Sequence, residues 1–307
     1  MKRALAALTG SLLLATTDPC AAGPPPASAS ASSAPCPSTV HGDLRLHRFE
    51  SRTFGNTRML RVLVPAGYDA PENASRRYPV LYLLDGQNLF DACLSDVSHH
   101  EWEVDETVDR LVRAGTIPPM IVVGIDHAGR DRGYEYIPYR DTYEDEDPRE
   151  PIGRRFPDFL TGEVLPFIDS RYRTLQGRDH TGIGGSSYGG AAALYAVLTK
   201  PMQFGVALIE SPSLHIGLGQ LVRDTSPLAA SPRKLYVGMG TAEGMDPEFR
   251  RMLLRHTRQL ESNLRAAGYD DATLRVVIEP GAIHTETAWA RRLPGALTFL
   301  YGPDAGR

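Results

Sequence analysis

The run Gly184-Gly185-Ser186-Ser187-Tyr188-Gly189-Gly190 constrains this chain more than any other segment. It contains a G-x-S-x-G match, Gly185-Ser186-Ser187-Tyr188-Gly189, a spacing that calls for a tight strand-to-helix turn with Ser187 at its tip. A serine Oγ can stand at such a tip only where the residues two before and two after it are too small to clash. Glycine at both places lets a strand and a helix approach closely and tolerates unusual dihedral angles. Alone the pattern is short and weak, and the segments around it decide its meaning.

Those segments alternate between strand and helix signals. Leu44 to Phe49 alternates strictly, and Met59 to Val64 follows as a second strand. Pro79 to Leu84 and Met120 to Ile125 are near-continuous apolar runs, as expected of strands covered on both faces. Val104 to Val112 has helical spacing, and Phe159, Leu160, Val164, Leu165 and Ile168 mark another amphipathic helix. A short strand, His180 to Gly184, leads into the glycine run, and a helix from Ala191 to Leu198 leads out of it. Strands at Gly205 to Ile209, Lys234 to Gly238 and Thr273 to Ile278 then interleave with helices at Pro247 to Ala267 and Thr287 to Leu300. This order predicts an α/β protein with a single doubly wound, mostly parallel sheet and helices on both faces.

In such a sheet chemistry gathers at the carboxyl ends of the strands. Leu235-Tyr236-Val237 runs into Gly240-Thr241-Ala242-Glu243, and Val276-Val277-Ile278 runs into Gly281-Ala282-Ile283-His284. An acid and a histidine therefore follow strand ends, in the chain order Ser187, Glu243, His284 of an α/β-hydrolase triad. A serine hydroxyl is a poor nucleophile until a neutral imidazole takes its proton, and a carboxylate fixes the imidazole tautomer. Asp246 competes with Glu243 for the acid's place. The backbone N–H groups of Tyr188 and of Gln87, in the turn Asp85-Gly86-Gln87, are candidates for an oxyanion hole. Trp102, His127 and His215 are candidate substrate contacts, and Tyr134, Tyr136 and Tyr139 lie in a loop that could reach substrate. His99 and His100 beside Glu101 have poor metal spacing and read as a solvated loop.

The ends and the composition bound the rest. Lys2 and Arg3 precede the apolar stretch Ala4 to Ala15, and Ala21 and Ala22 follow, so residues 1–22 read as a signal peptide and the protein as exported, periplasmic or secreted. The stretch is too short to span a bilayer, so no integral membrane segment is expected after cleavage. Thr17-Asp18-Pro19 is a poor lead-in for lipidation of Cys20. Residues 23–40, rich in Ala, Ser and Pro, read as a disordered linker, and 41–307 as one globular domain. Cys36 and Cys93 then form an even pair suited to a disulfide in an oxidising compartment. A net charge of −4 argues against nucleic acid as a partner, and the acidic run Asp141 to Glu150 reads as a solvated loop. No phosphate-binding glycine loop, CxxC pair or HExxH motif occurs, so no cofactor and no metal is expected. Nothing in these residues speaks to oligomeric state.

From about Arg61 to Tyr301 the chain resembles the putative esterase (esterase D-like) family of α/β-hydrolases, which includes bacterial feruloyl esterases, siderophore-ester hydrolases and mycolyltransferases. The resemblance rests on Leu81 to Asp91, Glu101-Trp102-Glu103-Val104-Asp105-Glu106, the glycine run, Ser211-Pro212-Ser213, Gly240-Thr241-Ala242-Glu243, and His284 leading into Trp289 to Pro294. It implies an α/β-hydrolase fold and a serine carboxylic-ester hydrolase acting through an acyl-enzyme on a small-molecule or glycan-linked ester. Ser187 would be the nucleophile, His284 the base and Glu243 the acid, with Gln87 giving the second oxyanion N–H. Some siderophore-ester members work with a Ser-His pair, so a dispensable acid stays open beside Glu243 and Asp246. Leu214-His215-Ile216 stands where many relatives carry tryptophan, which leaves the ester's identity open. An acyltransferase on the same triad and a silent hydrolase fold used for binding are the alternatives.

Overall fold

A computed structural model of the chain describes residues 36–95, 99–141, 148–226 and 232–303. The expected signal peptide with Cys20, most of the linker, and residues 142–147 of the acidic run lie outside the described residues. The chain divides into two units, Met1–Cys36 and Pro37–Arg307. The second unit thus starts ahead of the expected position 41. Ser38 Oγ donates to Asp91 Oδ2 at 2.8 Å and His41 N to Asp105 Oδ2 at 2.6 Å, so polar contacts anchor a segment with almost nothing apolar to bury. Cys36 and Cys93 are both disulfide-bonded.

Eight strands form one sheet: β1 (Asp43–Ser51), β2 (Asn56–Val64), β3 (Val80–Leu84), β4 (Ile121–Ile125), β5 (Thr181–Ser186), β6 (Val206–Glu210), β7 (Lys234–Gly240) and β8 (Leu274–Glu279). Their spatial order is β1-β2-β4-β3-β5-β6-β7-β8. Only β2 runs antiparallel to its neighbours β1 and β4, and all the other pairings are parallel. The helices are α1 (Val104–Arg113), α2 (Arg132–Tyr136), α3 (Phe156–Phe159), α4 (Leu165–Asp169), α5 (Ser187–Thr199), α6 (Ile216–Asp224), α7 (Pro247–Ala266) and α8 (Glu286–Tyr301). This is the α/β-hydrolase arrangement.

Strand periodicity sorts the core into two layers. Val80, Tyr82 and Leu84 of β3, with Ile121, Val123 and Ile125 of β4, face a layer shared with α3 to α7. Leu81, Leu83 and Val122 face the opposite layer, where Val104 and Val108 of α1 meet Leu293, Leu297 and Leu300 of α8. The inner strands are buried along their whole length, which is why they read as unbroken apolar runs.

Two of the departures from the expected pattern lie in the layer that holds α3 to α7. The amphipathic helix over 159–168 is interrupted by a π-helical turn, Leu160–Val164, just before Pro166. Proline has no N–H and its ring crowds the carbonyl one turn back, and a wider turn relieves both. Helix α6 was not expected, because Gly217 and Gly219 look like breakers. It opens with three left-handed residues, Gly217, Leu218 and Gly219, before the regular turns begin.

Asp105, in the first turn of α1, is buried. Burial pushes its carboxyl up to about 8; the His41 N–H opposes this and the neighbouring Glu106 adds to it. An unfolded aspartic acid titrates near ~4, so between there and 8 the folded protein holds a proton that the unfolded chain has lost. Stability therefore falls as pH rises through that window. Asp105→Asn keeps an acceptor for His41 N and cannot ionise. Its melting temperature at pH 8 is expected to exceed wild type by roughly 2 °C, about 1 kcal/mol, with the gap closing at pH 5. Thermal unfolding at the two pH values checks this, and a gap that does not change with pH would contradict it.

Candidate active site

β5 ends in Ser186, in extended conformation (φ −121°, ψ 160°), and the next residue, Ser187, begins α5 at φ 57°. A left-handed dihedral in a residue with a side chain costs roughly 1–2 kcal/mol. The glycines around it allow that geometry. A Cβ on Gly185 would lie 2.7 Å from the Gly189 carbonyl carbon, and one on Gly189 would lie 2.7 Å from Asp85 Oδ2. Gly190 is equally constrained, with the Glu210 carbonyl oxygen 2.8 Å from where its Cβ would be. The helix therefore begins at Ser187 itself, earlier than its composition suggested. Tyr188 falls in the first turn, where backbone N–H groups have no partner within the helix.

The candidate acid and base, Glu243 and His284, arrive on two neighbouring loops. Ala242 N donates to Ala282 O at 2.9 Å and Gly281 N to Thr241 Oγ1 at 2.8 Å, joining the loops after β7 and β8. Glu243 is buried, and its Oε2 lies 2.8 Å from His284 Nδ1. Its other oxygen, Oε1, accepts from Gly240 N at 2.6 Å and from Ser211 Oγ at 2.5 Å. A carboxylate acceptor at Nδ1 keeps the proton there and leaves Nε2 as the basic nitrogen. Asp246 does something else: its carboxylate caps α7, accepting from Glu248 N at 3.0 Å and Phe249 N at 3.3 Å, ahead of Pro247. Of the two acids open in the sequence, Glu243 is the one that touches the histidine. Ser187, Glu243 and His284 line one cavity of about 270 Å³, together with Ser211, Ser213, His215, Phe249 and Leu253.

Behind Glu243 lies a polar group that residue-by-residue reading missed. Ser211, at φ 40° just past β6, donates to Glu243 and accepts from Trp289 Nε1 at 2.8 Å and Arg292 Nη2 at 3.2 Å. Arg292 grips Glu210 Oε2 with two nitrogens at 3.0 and 2.8 Å and reaches Glu279 Oε2 with a third at 2.8 Å. Burial pushes the Glu210 carboxyl up and the Arg292 charge opposes that shift. Trp289 also stands edge-on to the His284 ring, with centroids 5.0 Å apart. The available signal was the i, i+3 spacing of Trp289 and Arg292 on one face of the last helix, opposite Ser-Pro-Ser.

The other expected residues divide. Gln87 sits in a buried 3-10 turn after Asp85, itself left-handed at φ 60° and held by two 2.8 Å contacts from Arg132. The Gln87 side chain accepts from His127 N at 3.4 Å and so serves the end of β4, and His127 Nδ1 accepts from Gly129 N at 2.9 Å. Asn88 Nδ2 donates to Glu286 Oε1 at 3.4 Å, tying this turn to α8. His215 does line the cavity. It is buried, with Nε2 3.2 Å from Asp141 Oδ2 and its ring edge-on to Phe249, and Tyr188 OH donates to the same Asp141 oxygen at 2.6 Å. Trp102, open in the sequence as cleft wall or core, is buried in the core and packs on Trp289, whose ring in turn stands edge-on to His284. Tyr136 is buried with its OH accepting from Asp85 N, Tyr139 OH donates to Asp224, and Tyr134 lies under Arg149; none of the three lines the cavity. His99 and His100 are exposed. Among the described residues no group of three or more His, Cys, Asp or Glu side chains could hold a metal ion.

The chain is similar to several known proteins. Residues 51–300 match the family described as "Putative esterase". An uncharacterized Bacillus subtilis protein, YbbA, is 23% identical over 277 residues, which cover 86% of this chain and 98% of that protein. Ferri-bacillibactin esterase BesA of Bacillus subtilis is 27% identical over 170 residues, 51% of this chain and 55% of that one. Among solved structures, an IroE-like serine hydrolase from Shewanella oneidensis superposes with a TM-score of 0.66 at 21% identity, covering 84% of this chain and 80% of that chain.

Ser211→Ala removes one of two donors to Glu243 Oε1 and leaves Trp289 Nε1 without its acceptor. Losing a hydrogen bond to a charged acceptor costs about 1.5–3 kcal/mol. Steady-state kinetics on an activated ester are expected to show kcat reduced by roughly ten- to a hundredfold with KM nearly unchanged. An unchanged kcat would show that Ser211 does not position the acid.

Proposed function

The chain belongs to the putative esterase family and is an ester hydrolase, and we propose that it works through an acyl-enzyme on Ser187. The observation that carries this reading is the 2.8 Å contact between Glu243 Oε2 and His284 Nδ1 in the same cavity as the left-handed Ser187. In the proposed reaction His284 Nε2 takes the proton of Ser187 Oγ as the oxygen attacks the ester carbonyl. Glu243 holds the imidazole in the required tautomer and stabilises the imidazolium. The N–H groups of Tyr188 and Gln87 take the charge that builds on the carbonyl oxygen, where each donor is worth roughly 3–4 kcal/mol. Collapse of the tetrahedral intermediate breaks the C–O bond, and the alcohol leaves with the proton from His284. Water then attacks the acyl-enzyme by the same route in reverse, activated by His284 Nε2, and releases the acid.

We further propose that the protein acts outside the cytoplasm on small-molecule esters. The charged and apolar start of the chain and the disulfide-bonded state of Cys36 and Cys93 support export. No helix among the described residues is long and apolar enough to cross a membrane. The likeness to ferri-bacillibactin esterase makes siderophore esters one substrate class to assay.

With p-nitrophenyl acetate as substrate, Glu243→Gln is expected to lower kcat by about 10²–10⁴-fold, because the amide cannot hold the required tautomer. Asp246→Asn is expected to stay within about twofold, since asparagine also caps a helix well. The reverse ranking in initial-rate measurements would move the acid to Asp246, and two fully active variants would make the acid dispensable.

A further inference from the structure

Three of the large apolar side chains exposed on this protein flank residues that line the cavity. Met245 is 95% exposed, Leu218 65% and Ile283 54%. Met245 follows the cavity-lining Gly244, and Ile283 immediately precedes His284. Their loops are joined by the Ala242–Ala282 and Gly281–Thr241 hydrogen bonds. Leu218 comes shortly after the cavity-lining His215, and its turn lies against α7, since a Cβ on Gly219 would stand 3.0 Å from His256 Nε2. Phe249 and Leu253 of α7 give the cavity itself apolar lining.

Leu218 is held in place against its own preference. It has φ 54° and ψ 40°, between Gly217 and Gly219, which are also left-handed. Glycine adopts that conformation freely, whereas the Cβ of leucine crowds the following carbonyl oxygen in it. Arg223 fixes the turn by donating Nη1 to Leu218 O at 2.8 Å and Nη2 to Gly217 O at 3.4 Å. The strain holds an apolar side chain in water, so neither the backbone nor the side chain gains from it in the free protein. Strain of this kind persists where function uses the result.

We propose that Met245, Leu218 and Ile283 form an apolar subsite at the mouth of the cavity, taking a hydrocarbon portion of the ester too long for the cavity alone. This rests on the reading of Ser187 as the nucleophile and adds the substrate class: esters with an extended apolar group on the acyl or the alcohol side. Burying one methylene is worth about 0.8 kcal/mol, close to a fourfold change in binding, so a few extra carbons should be clearly visible in kcat/KM.

Two series of esters separate the sides: p-nitrophenyl acetate, butyrate and octanoate vary the acyl group, and methyl, butyl and octyl acetate vary the alcohol. In wild type, kcat/KM is expected to rise at least tenfold from the shortest to the longest member of one series. In the triple variant Met245→Ser, Leu218→Gly, Ile283→Ser the long-to-short ratio in that series should fall at least fivefold. Thermal unfolding of the variant monitors its fold, and each single variant should carry part of the effect. A wild type that cleaves the short esters but shows no rise in either series overturns the subsite and leaves the Ser187 reading intact, as does a rise that the variants retain. A protein that cleaves no ester contradicts the Ser187 reading instead. In that case calorimetric binding of octanoate decides the subsite: binding by wild type and loss in the triple variant supports it, and no binding by wild type overturns it.

Discussion

The contact between Gly185 and Gly189 is the constraint on which the site depends. With hydrogens in place of side chains, α5 can leave β5 so tightly that Ser187 sits at the tip in a left-handed conformation, and a methyl group on Gly185 would meet the Gly189 backbone at 2.7 Å. Because β5 lies between β3 and β6, the turn also meets the ends of both neighbours: Asp85 against Gly189 and the Glu210 carbonyl against Gly190. A shift of the elbow would therefore disturb the proposed oxyanion turn on one side and the support of the acid on the other.

That support uses charge in an unusual amount for a buried place. Arg292 joins Glu210 and Glu279 and reaches the Ser211 hydroxyl, which in turn holds Glu243. Buried ion pairs often contribute little net stability, because desolvation offsets their attraction. Their use here is better understood as orientation. Glu243 receives two hydrogen bonds on one oxygen, and the other is left in line with His284. In the proposed reaction a carboxylate fixed in this way would lose little entropy as the imidazole becomes charged, which is the condition for electrostatic preorganisation.

Much of this was legible in the residues. Strand positions and the two-layer core follow from periodicity, and glycine spacing with polar residues placed after strand ends marks Ser187, Glu243 and His284, which meet in one cavity. The parts that were hidden depend on tertiary geometry. The capping role of Asp246 and the histidine contact of Glu243 are both plausible from a short loop, and only the direction in which helix α7 starts separates them. Trp102 reads equally well as cleft wall or core until it is seen buried against Trp289. Ser211 and Arg292 are distant in sequence, and the i, i+3 spacing of Trp289 and Arg292 does not by itself name their partner, so the connection appears only when β6 and α8 are brought together. Helix α6 was concealed by glycines that form a left-handed turn rather than end a helix.

In the proposed reaction Ser187 is the residue that attacks the ester. A fluorophosphonate probe followed by peptide mass spectrometry tests it most directly, because the reagent forms a stable adduct on an activated serine and reports its position. One adduct, on Ser187, is expected in wild type and none in Ser187→Ala. An adduct on Ser186, Ser211 or Ser213, or labelling that survives the substitution, would contradict it.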